Sequence, residues 1–145
     1  MKHKVSTLEG ALLDAAVAKA LGRLVLEDEP GWEKGDYAAL RREYGGRHVV
    51  RWYARSGEDA EGPATDEVGG WESLDSWGSP STDGRMAYEI IKRKRITVQA
   101  SRAGDWRAWV GDGDSQPAPE GRAGDPLIAA MRALVASELG EEVEL

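Results

Sequence analysis

Few residues of this chain have the types and spacing that catalysis requires. The only histidines are His3 and His48, and the chain has no cysteine. A Ser-His-Asp triad would have to use His48, yet no Gly-x-Ser-x-Gly elbow is available to present the nucleophile. Thiolate catalysis, disulfides and Cys-based zinc sites are excluded. The sequence therefore predicts no catalytic residue and favours a protein that is not an enzyme. A small hydrolase or transferase built around His48 is the enzymatic alternative.

Metal and nucleotide motifs are incomplete. Asp112-Gly113-Asp114 is similar to the start of a calcium-binding loop. Such a loop needs glycine where this chain has Pro117, and a bidentate glutamate where it has Ala123. The chain has no Walker A sequence, and the glycines around residue 111 do not complete a dinucleotide fingerprint. We therefore predict no metal site and no cofactor.

The turn Ser79-Pro80-Ser81-Thr82-Asp83 places three hydroxyl groups just before a predicted helix. The free N–H groups of that helix could bind a phosphate or carboxylate, unless Asp83 fills the position as the helix cap. Two tryptophans lie just upstream in polar, Gly-rich sequence. We predict a binding module for a host or phage protein or a small anionic ligand, and expect Trp77→Ala to abolish binding with little loss of stability. The predicted ligand-binding residues are Trp71, Trp77, Ser79, Ser81, Thr82 and Arg85. The alternative is a simple capping turn whose shape Pro80 sets.

Two basic stretches, residues 41–55 and 85–107, also carry aromatic side chains. Basic groups beside stacking rings are typical of nucleotide or single-stranded nucleic-acid binding. Against this, a net charge of −7 and a pI of about 4.9 oppose non-specific binding to a polyanion. Nucleic acid is therefore a possible partner that is not favoured. The residues of this alternative are Arg51, Trp52, Lys92, Arg93, Lys94, Arg95 and Trp106.

Length and composition predict one compact domain spanning residues 1–145. The 145 residues include six Trp and no Phe. No apolar run approaches the roughly 20 residues of a membrane span, and residues 1–10 lack the apolar stretch of a signal peptide. We expect a cytoplasmic protein with no membrane partner, and the oligomeric state is left open.

The hydrophobic pattern predicts helices and strands that alternate irregularly. Helices are expected at 7–21, 36–44, 85–94 and 126–139, and strands at 23–27, 48–53, 96–100 and 106–110. An exposed acidic loop is expected at about 56–70, and an acidic C-terminal tail at 141–145. The prediction is an α+β fold, with a mainly antiparallel sheet of about four strands packed by N-terminal, central and C-terminal helices.

Several segments together resemble the NinX-like family of tailed-phage and prophage proteins. The resemblance covers roughly half of the chain, and its C-terminal part is the most specific because several identities are contiguous. The matching segments are Ala15–Ala20, Ser79–Asp83, Ile90–Ile96, Trp106 with Ala108, Pro126–Arg132, Val135–Ser137 and Leu139–Glu144. The chain departs from the family at Ala87–Glu89, where a Gly-Pro is usual, and in a long segment 27–78. The resemblance implies a phage or prophage origin and no particular biochemical activity.

Overall fold

The computed structural model describes residues 1–33, 35–55, 64–112 and 119–145. These residues form two compact units, and the prediction of a single domain stays a prediction. The first unit comprises residues 1–20 and 78–145, and the second comprises residues 21–77. Within the described residues there are five helices and seven strands, and all paired strands are antiparallel. The predicted α+β class is confirmed, with the strands divided among three small sheets.

The elements follow one another along the chain in this order. They are β1 (Lys2–Lys4), a 3-10 turn (Val5–Thr7), α1 (Gly10–Ala20), α2 (Asp36–Glu43), β2 (Val49–Arg55), β3 (Ala64–Ser73), α3 (Leu74–Trp77), α4 (Gly84–Lys94), β4 (Ile96–Ala100), β5 (Trp106–Val110), β6 (Gly121–Ala123), α5 (Pro126–Leu139) and β7 (Glu142–Glu144).

In the first unit, α5 packs against the sheet β4-β5-β6, and α1 packs against α5. The register places Ala108 of β5 opposite Gly121 of β6. A Cβ atom at Gly121 would overlap the carbonyl oxygen of Ala129 and the backbone nitrogen of Ala133. Glycine therefore lets β6 approach the backbone of α5 directly. The buried side chains of this unit come mainly from the two helices: Leu13, Ala15, Ala16, Val17, Ala18, Ala129, Ala130, Met131, Ala133, Leu134 and Val135.

The predicted start of α5 and the predicted end of α4 are both confirmed. Asp125 Oδ1 accepts hydrogen bonds from the backbone N–H groups of Leu127 and Ile128, at 2.8 and 3.2 Å, and Pro126 opens α5. A proline fits there because the first helical N–H has no intrahelical partner. The chain leaves α4 through Arg95, whose φ of 54° is left-handed. The two strands predicted at 96–100 and 106–110 are also confirmed, and they pair as the antiparallel β4–β5 hairpin.

Residues 142–144 of the acidic C-terminal tail predicted at 141–145 form strand β7, which the sequence pattern did not predict. Backbone pairing with β1 explains the difference, since it satisfies the polar groups of both segments. The register sets Lys2 opposite Glu144 and Lys4 opposite Glu142, so opposite charges face each other. The Lys19 ammonium also donates to the carbonyl oxygen of Glu144 at 2.7 Å.

The second unit is built on the β2–β3 hairpin, which α2 and α3 accompany. The strand predicted at 23–27 is reduced to a single bridge between Leu24 and Val50. The acidic loop predicted at 56–70 is corrected in its second half, because residues 64–70 belong to β3 and pair with β2. Residues 56–63 of that loop lie outside the described residues. The buried side chains here are Leu24, Val25, Val49, Val50 and Leu74.

The helices are short relative to a bilayer. Among the residues that the structure describes, no helix has both the length and the apolar character that a membrane crossing needs.

Candidate functional site

The six residues of the predicted ligand site divide between the two units. Trp71 and Trp77 belong to the second unit, whereas Ser79, Ser81, Thr82 and Arg85 belong to the first.

The Ser79–Asp83 turn uses its own groups to close the start of α4. Asp83 Oδ1 accepts hydrogen bonds from the backbone N–H groups of Arg85 and Met86, at 3.0 and 3.3 Å. The Ser79 carbonyl oxygen accepts from the N–H groups of Thr82 and Asp83, at 3.0 and 2.7 Å. Two N–H groups that an external anion would need are thus already bonded to Asp83. This geometry fits the capping-turn alternative, with the side chains of Thr82 and Arg85 exposed.

Ser81 connects this turn to α1. The Ser81 backbone N–H donates to Asp14 Oδ1 at 2.9 Å, and both residues are 3% exposed. Among the described residues the Ser81 hydroxyl has no hydrogen-bond partner. A buried carboxylate that accepts a backbone N–H is an anchoring contact. Ser81 is therefore placed in the interior of the first unit, not on a surface.

The second unit presents Trp71 on strand β3. Its side chain is 43% exposed, and its ring meets that of Trp32 edge to face, with centroids 6.4 Å apart. The Tyr44 hydroxyl donates to the Trp71 carbonyl oxygen at 2.9 Å, so the end of α2 is attached to the same strand position. Trp77 is half-buried at the end of α3. Of the two predicted site tryptophans, Trp71 has the more accessible ring.

Trp52 lies on the other face of the hairpin. Arg51 pairs with Trp71 and Trp52 pairs with Gly70, and successive residues of a strand point to opposite faces. The Trp52 ring covers the backbone of Gly69 and Gly70, where any Cβ atom would collide with it. It is nevertheless 46% exposed. The hairpin therefore carries one exposed tryptophan on each face.

The cations of the nucleic-acid alternative are placed unevenly. Arg51 forms an ion pair with Glu29, and both side chains are only 17% exposed. Its guanidinium also donates to the Leu24 carbonyl oxygen at 3.2 Å, so it is engaged inside the second unit. Lys92, Arg93 and Arg95 are exposed around the end of α4 in the first unit, and Lys94 and Trp106 are half-buried. The structure does not bring these seven residues into one unit.

Sequence reasoning overlooked the outer face of the sheet β4-β5-β6. The register places Thr97, Gln99, Arg107, Trp109 and Arg122 on the face opposite Ala108. The Arg107 guanidinium lies 5.1 Å from the centroid of the Trp109 ring. The nearby carboxylates pair with the arginines: Glu120 with Arg107 at 2.5 Å, Glu120 with Arg122 at 3.1 Å, and Asp105 with Arg122 at 3.7 Å. The alternation of side chains along β5 already indicated that Trp109 and Trp106 lie on opposite faces of the sheet.

His48 is half-buried just before β2. Burial, with a smaller contribution from the positive charge of Arg41, lowers the pKa of its imidazole. Among the described residues the ring forms no hydrogen bond or ion pair, so the part of the chain that is described supplies neither the nucleophile nor the orienting carboxylate of a triad. Within the same residues, no group of three or more histidines and carboxylates is arranged to hold a metal ion.

Comparison with known proteins agrees with the segments that suggested a phage family. A sequence profile of the family described as "Bacteriophage P22, NinX" matches residues 4–138. A comparison with curated proteins gives no match. The profile spans both units and nearly the whole chain, including the long segment 27–78. The chain therefore belongs to the phage family Bacteriophage P22, NinX.

Proposed function

We propose that this phage accessory protein is a non-catalytic binding module whose partner is a host or phage protein in the bacterial cytoplasm. The binding surface is centred on Trp71, supported by Trp32. The observation that carries the proposal is that the Trp71 ring is 43% exposed while a second ring fixes its orientation.

A fixed, exposed indole is suited to recognition. Tryptophan is enriched among the residues that dominate binding energies, because it buries a large area with few rotatable bonds. The contact with Trp32 and the hydrogen bond from Tyr44 to the Trp71 backbone hold the ring before any partner arrives. Less conformational entropy is then lost on binding.

The charge of the second unit indicates the kind of surface that it would bind. Residues 21–77 contain seven Lys and Arg against thirteen Asp and Glu, a net charge of −6. Such a unit attracts basic surfaces and repels polyanions. We therefore propose a partner with a basic surface, one of whose cationic side chains stacks on the Trp71 ring.

Site-directed photo-cross-linking tests this proposal. A photoreactive benzophenone side chain is introduced at position 71, and cells that produce the labelled protein are irradiated during phage growth. The matched control carries the same group at Tyr88, which is 61% exposed on α4 of the first unit. We expect one cross-linked protein from position 71, absent from position 88 and weakened by salt.

Competition supplies the second readout. An excess of the unlabelled native chain should suppress the cross-link in an extract, whereas the Trp71→Ala chain, folded by circular dichroism, should not. Equal bands from both positions, or equal suppression by both competitors, would show that the Trp71 surface is not the binding site. Trp77→Ala in the same assay tests whether the half-buried tryptophan contributes.

The two alternative ligands, single-stranded nucleic acid and a small anion, are tested by titration. A fluorescence titration with short single strands at low salt covers the nucleic-acid alternative, and inorganic phosphate covers the anion at the Ser79–Asp83 turn. We expect no saturable change from either ligand, because Arg51 is occupied by Glu29 and the α4 N–H groups are occupied by Asp83.

A further inference from the structure

The first unit contains an open cavity of about 820 Å³ between the sheet edge, α5 and the paired chain ends. We call it the Arg132 cavity. Its lining includes three cations and three carboxylates. The lining residues are Lys4, Val5, Ser6, Glu120, Gly121, Arg122, Arg132, Ala136, Glu141 and Glu142. Its volume is in the range of small-molecule sites, which run from about 300 to 1,000 Å³.

Arg132 is the fixed cation of this cavity. Its Nε donates to the Leu8 carbonyl oxygen at 2.9 Å, and its Nη1 donates to the Arg122 carbonyl oxygen at 2.7 Å. Two backbone acceptors from separate segments therefore hold the guanidinium plane in one orientation. Among the described residues, its second terminal nitrogen, Nη2, donates to no acceptor. An arginine held in this way presents unused donors in a preorganised geometry.

Arg132 also lacks the counter-ions that the neighbouring Arg122 has. Arg122 is paired with Glu120 and Asp105. Within the described residues no carboxylate oxygen lies within 4 Å of the Arg132 guanidinium. Burial lowers the pKa of the Arg132 guanidinium, and the negative charge of Glu9 offsets only part of this effect. A partly buried guanidinium with free donors is a receptor for an anionic group.

The opposite charge is supplied by the chain end. Glu141 and Glu142 are exposed and line the same cavity, and no hydrogen bond within the described residues engages their carboxylates. A simple anion would meet these carboxylates as well as Arg132. A molecule with both charges would compensate the two sides of the lining at once.

We propose that the Arg132 cavity binds a small zwitterion, an amino acid or short peptide with a free carboxylate and a free ammonium group. The ligand carboxylate accepts hydrogen bonds from the Arg132 guanidinium. The ligand ammonium donates to Glu141 and Glu142. This site lies wholly in the first unit and is independent of the Trp71 surface.

The test is a nuclear magnetic resonance titration of the full chain with three matched probes. These are the dipeptide alanyl-alanine, its C-terminal amide and its N-acetyl form, each added to millimolar concentration. We expect saturable shifts of the Gly121, Arg122 and Ala136 amide signals with the dipeptide. Removing either charge should weaken binding about tenfold, because each removes a hydrogen-bonded ion pair. Any other order of the three affinities overturns the proposal.

Variants assign the two charges to residues. Arg132→Gln should abolish binding of the dipeptide, whereas Arg102→Gln, at an exposed position in the β4–β5 turn, should leave it unchanged. Glu141→Gln should weaken the dipeptide and leave the N-acetyl form, which lacks an ammonium group, unaffected. If Arg132→Gln does not fold, because it loses the Leu8 and Arg122 contacts, the Glu141→Gln comparison decides. Native-like affinity in a folded Arg132→Gln chain, or equal losses for both probes in Glu141→Gln, contradicts the proposal.

Discussion

The indole rings of Trp32 and Trp71 meet at an interplanar angle of 72°, with their centroids 6.4 Å apart. This edge-to-face arrangement is favourable because the positive edge of one ring approaches the negative face of the other. Trp32 follows the Pro30-Gly31 turn, and Trp71 lies on β3. The pair joins an irregular segment to the hairpin and leaves Trp71 accessible, which makes it both a structural contact and the centre of the proposed surface.

The coupling between the two rings can be measured directly. In a double-mutant cycle of Trp32→Ala and Trp71→Ala, we expect the two losses of unfolding free energy to be non-additive by about 0.5–1.5 kcal/mol. Urea unfolding of the four chains gives this value. Trp52, on the opposite face of the hairpin, supplies the control, because Trp32→Ala and Trp52→Ala should add. Additive losses for Trp32 and Trp71 would contradict the contact.

Gly121→Ala tests the close approach of β6 to α5. The added methyl group would overlap the backbone of Ala129 and Ala133, so strand and helix must separate. We expect a loss of about 1–3 kcal/mol in the free energy of unfolding. Gly124→Ala is the matched control, because a Cβ atom there would meet open space and the φ of Gly124 is not positive. Equal effects of the two substitutions would mean that space at Gly121 is not limiting.

Asp14→Ala tests the buried contact with Ser81. The variant leaves the Ser81 N–H buried without an acceptor, and we expect a loss of about 1–3 kcal/mol in urea unfolding. Asp14→Asn keeps an acceptor oxygen and should lose less. Asp83→Ala removes an exposed helix cap and should cost about 1 kcal/mol. If Asp14→Asn is as damaging as Asp14→Ala, the hydrogen bond is not the source of the stability.

The lowered pKa of His48 predicts that the free energy of unfolding depends on pH. Burial and Arg41 lower its folded pKa below the ordinary value of 6.5, so the unfolded chain binds a proton more readily than the folded chain. The contribution to stability is complete above pH 6.5 and is lost progressively as the pH falls below it. Urea unfolding at pH 7.5, 6.5 and 5.5 should show this decrease. His48→Gln should remove that part of the slope, and an unchanged slope would exclude His48 as its source.

Elements that are specified by residues close together in the chain could be predicted from the sequence alone. The caps at Asp83 and Asp125 were predictable because a side chain that bonds the next two N–H groups needs no distant partner. Pro126 and the β4–β5 hairpin were predictable for the same reason. The family was recognisable from short segments such as Pro126–Arg132. Arg132 itself could have been noticed in the sequence, because it is the one charged residue between Leu127 and Val135 of α5.

The elements that depend on distant partners were not predictable in the same way. Residues 142–144 are a strand because β1, at the other end of the chain, pairs with them, and residues 64–70 are a strand because β2 does. The strand at 23–27 became one bridge because, in the described structure, its backbone hydrogen bonds to β2 are limited to those of Arg23 and Val25 on either side of Leu24. Backbone hydrogen bonding of this kind is non-local, so an acidic, Gly-rich segment gives no local sign of it.

For the six tryptophans, too, the sequence determined one part of the outcome and the tertiary structure decided the other. Composition and strand alternation determined that they could not all share one core, and that Trp106 and Trp109 face opposite sides of their strand. Only the tertiary structure decided which rings remain accessible. Trp71 is supported by a ring 39 positions earlier in the sequence, and Trp52 lies over a glycine pair across the hairpin. The physical reason is that exposure depends on what packs beside a side chain, whereas the sequence specifies only the side chain itself.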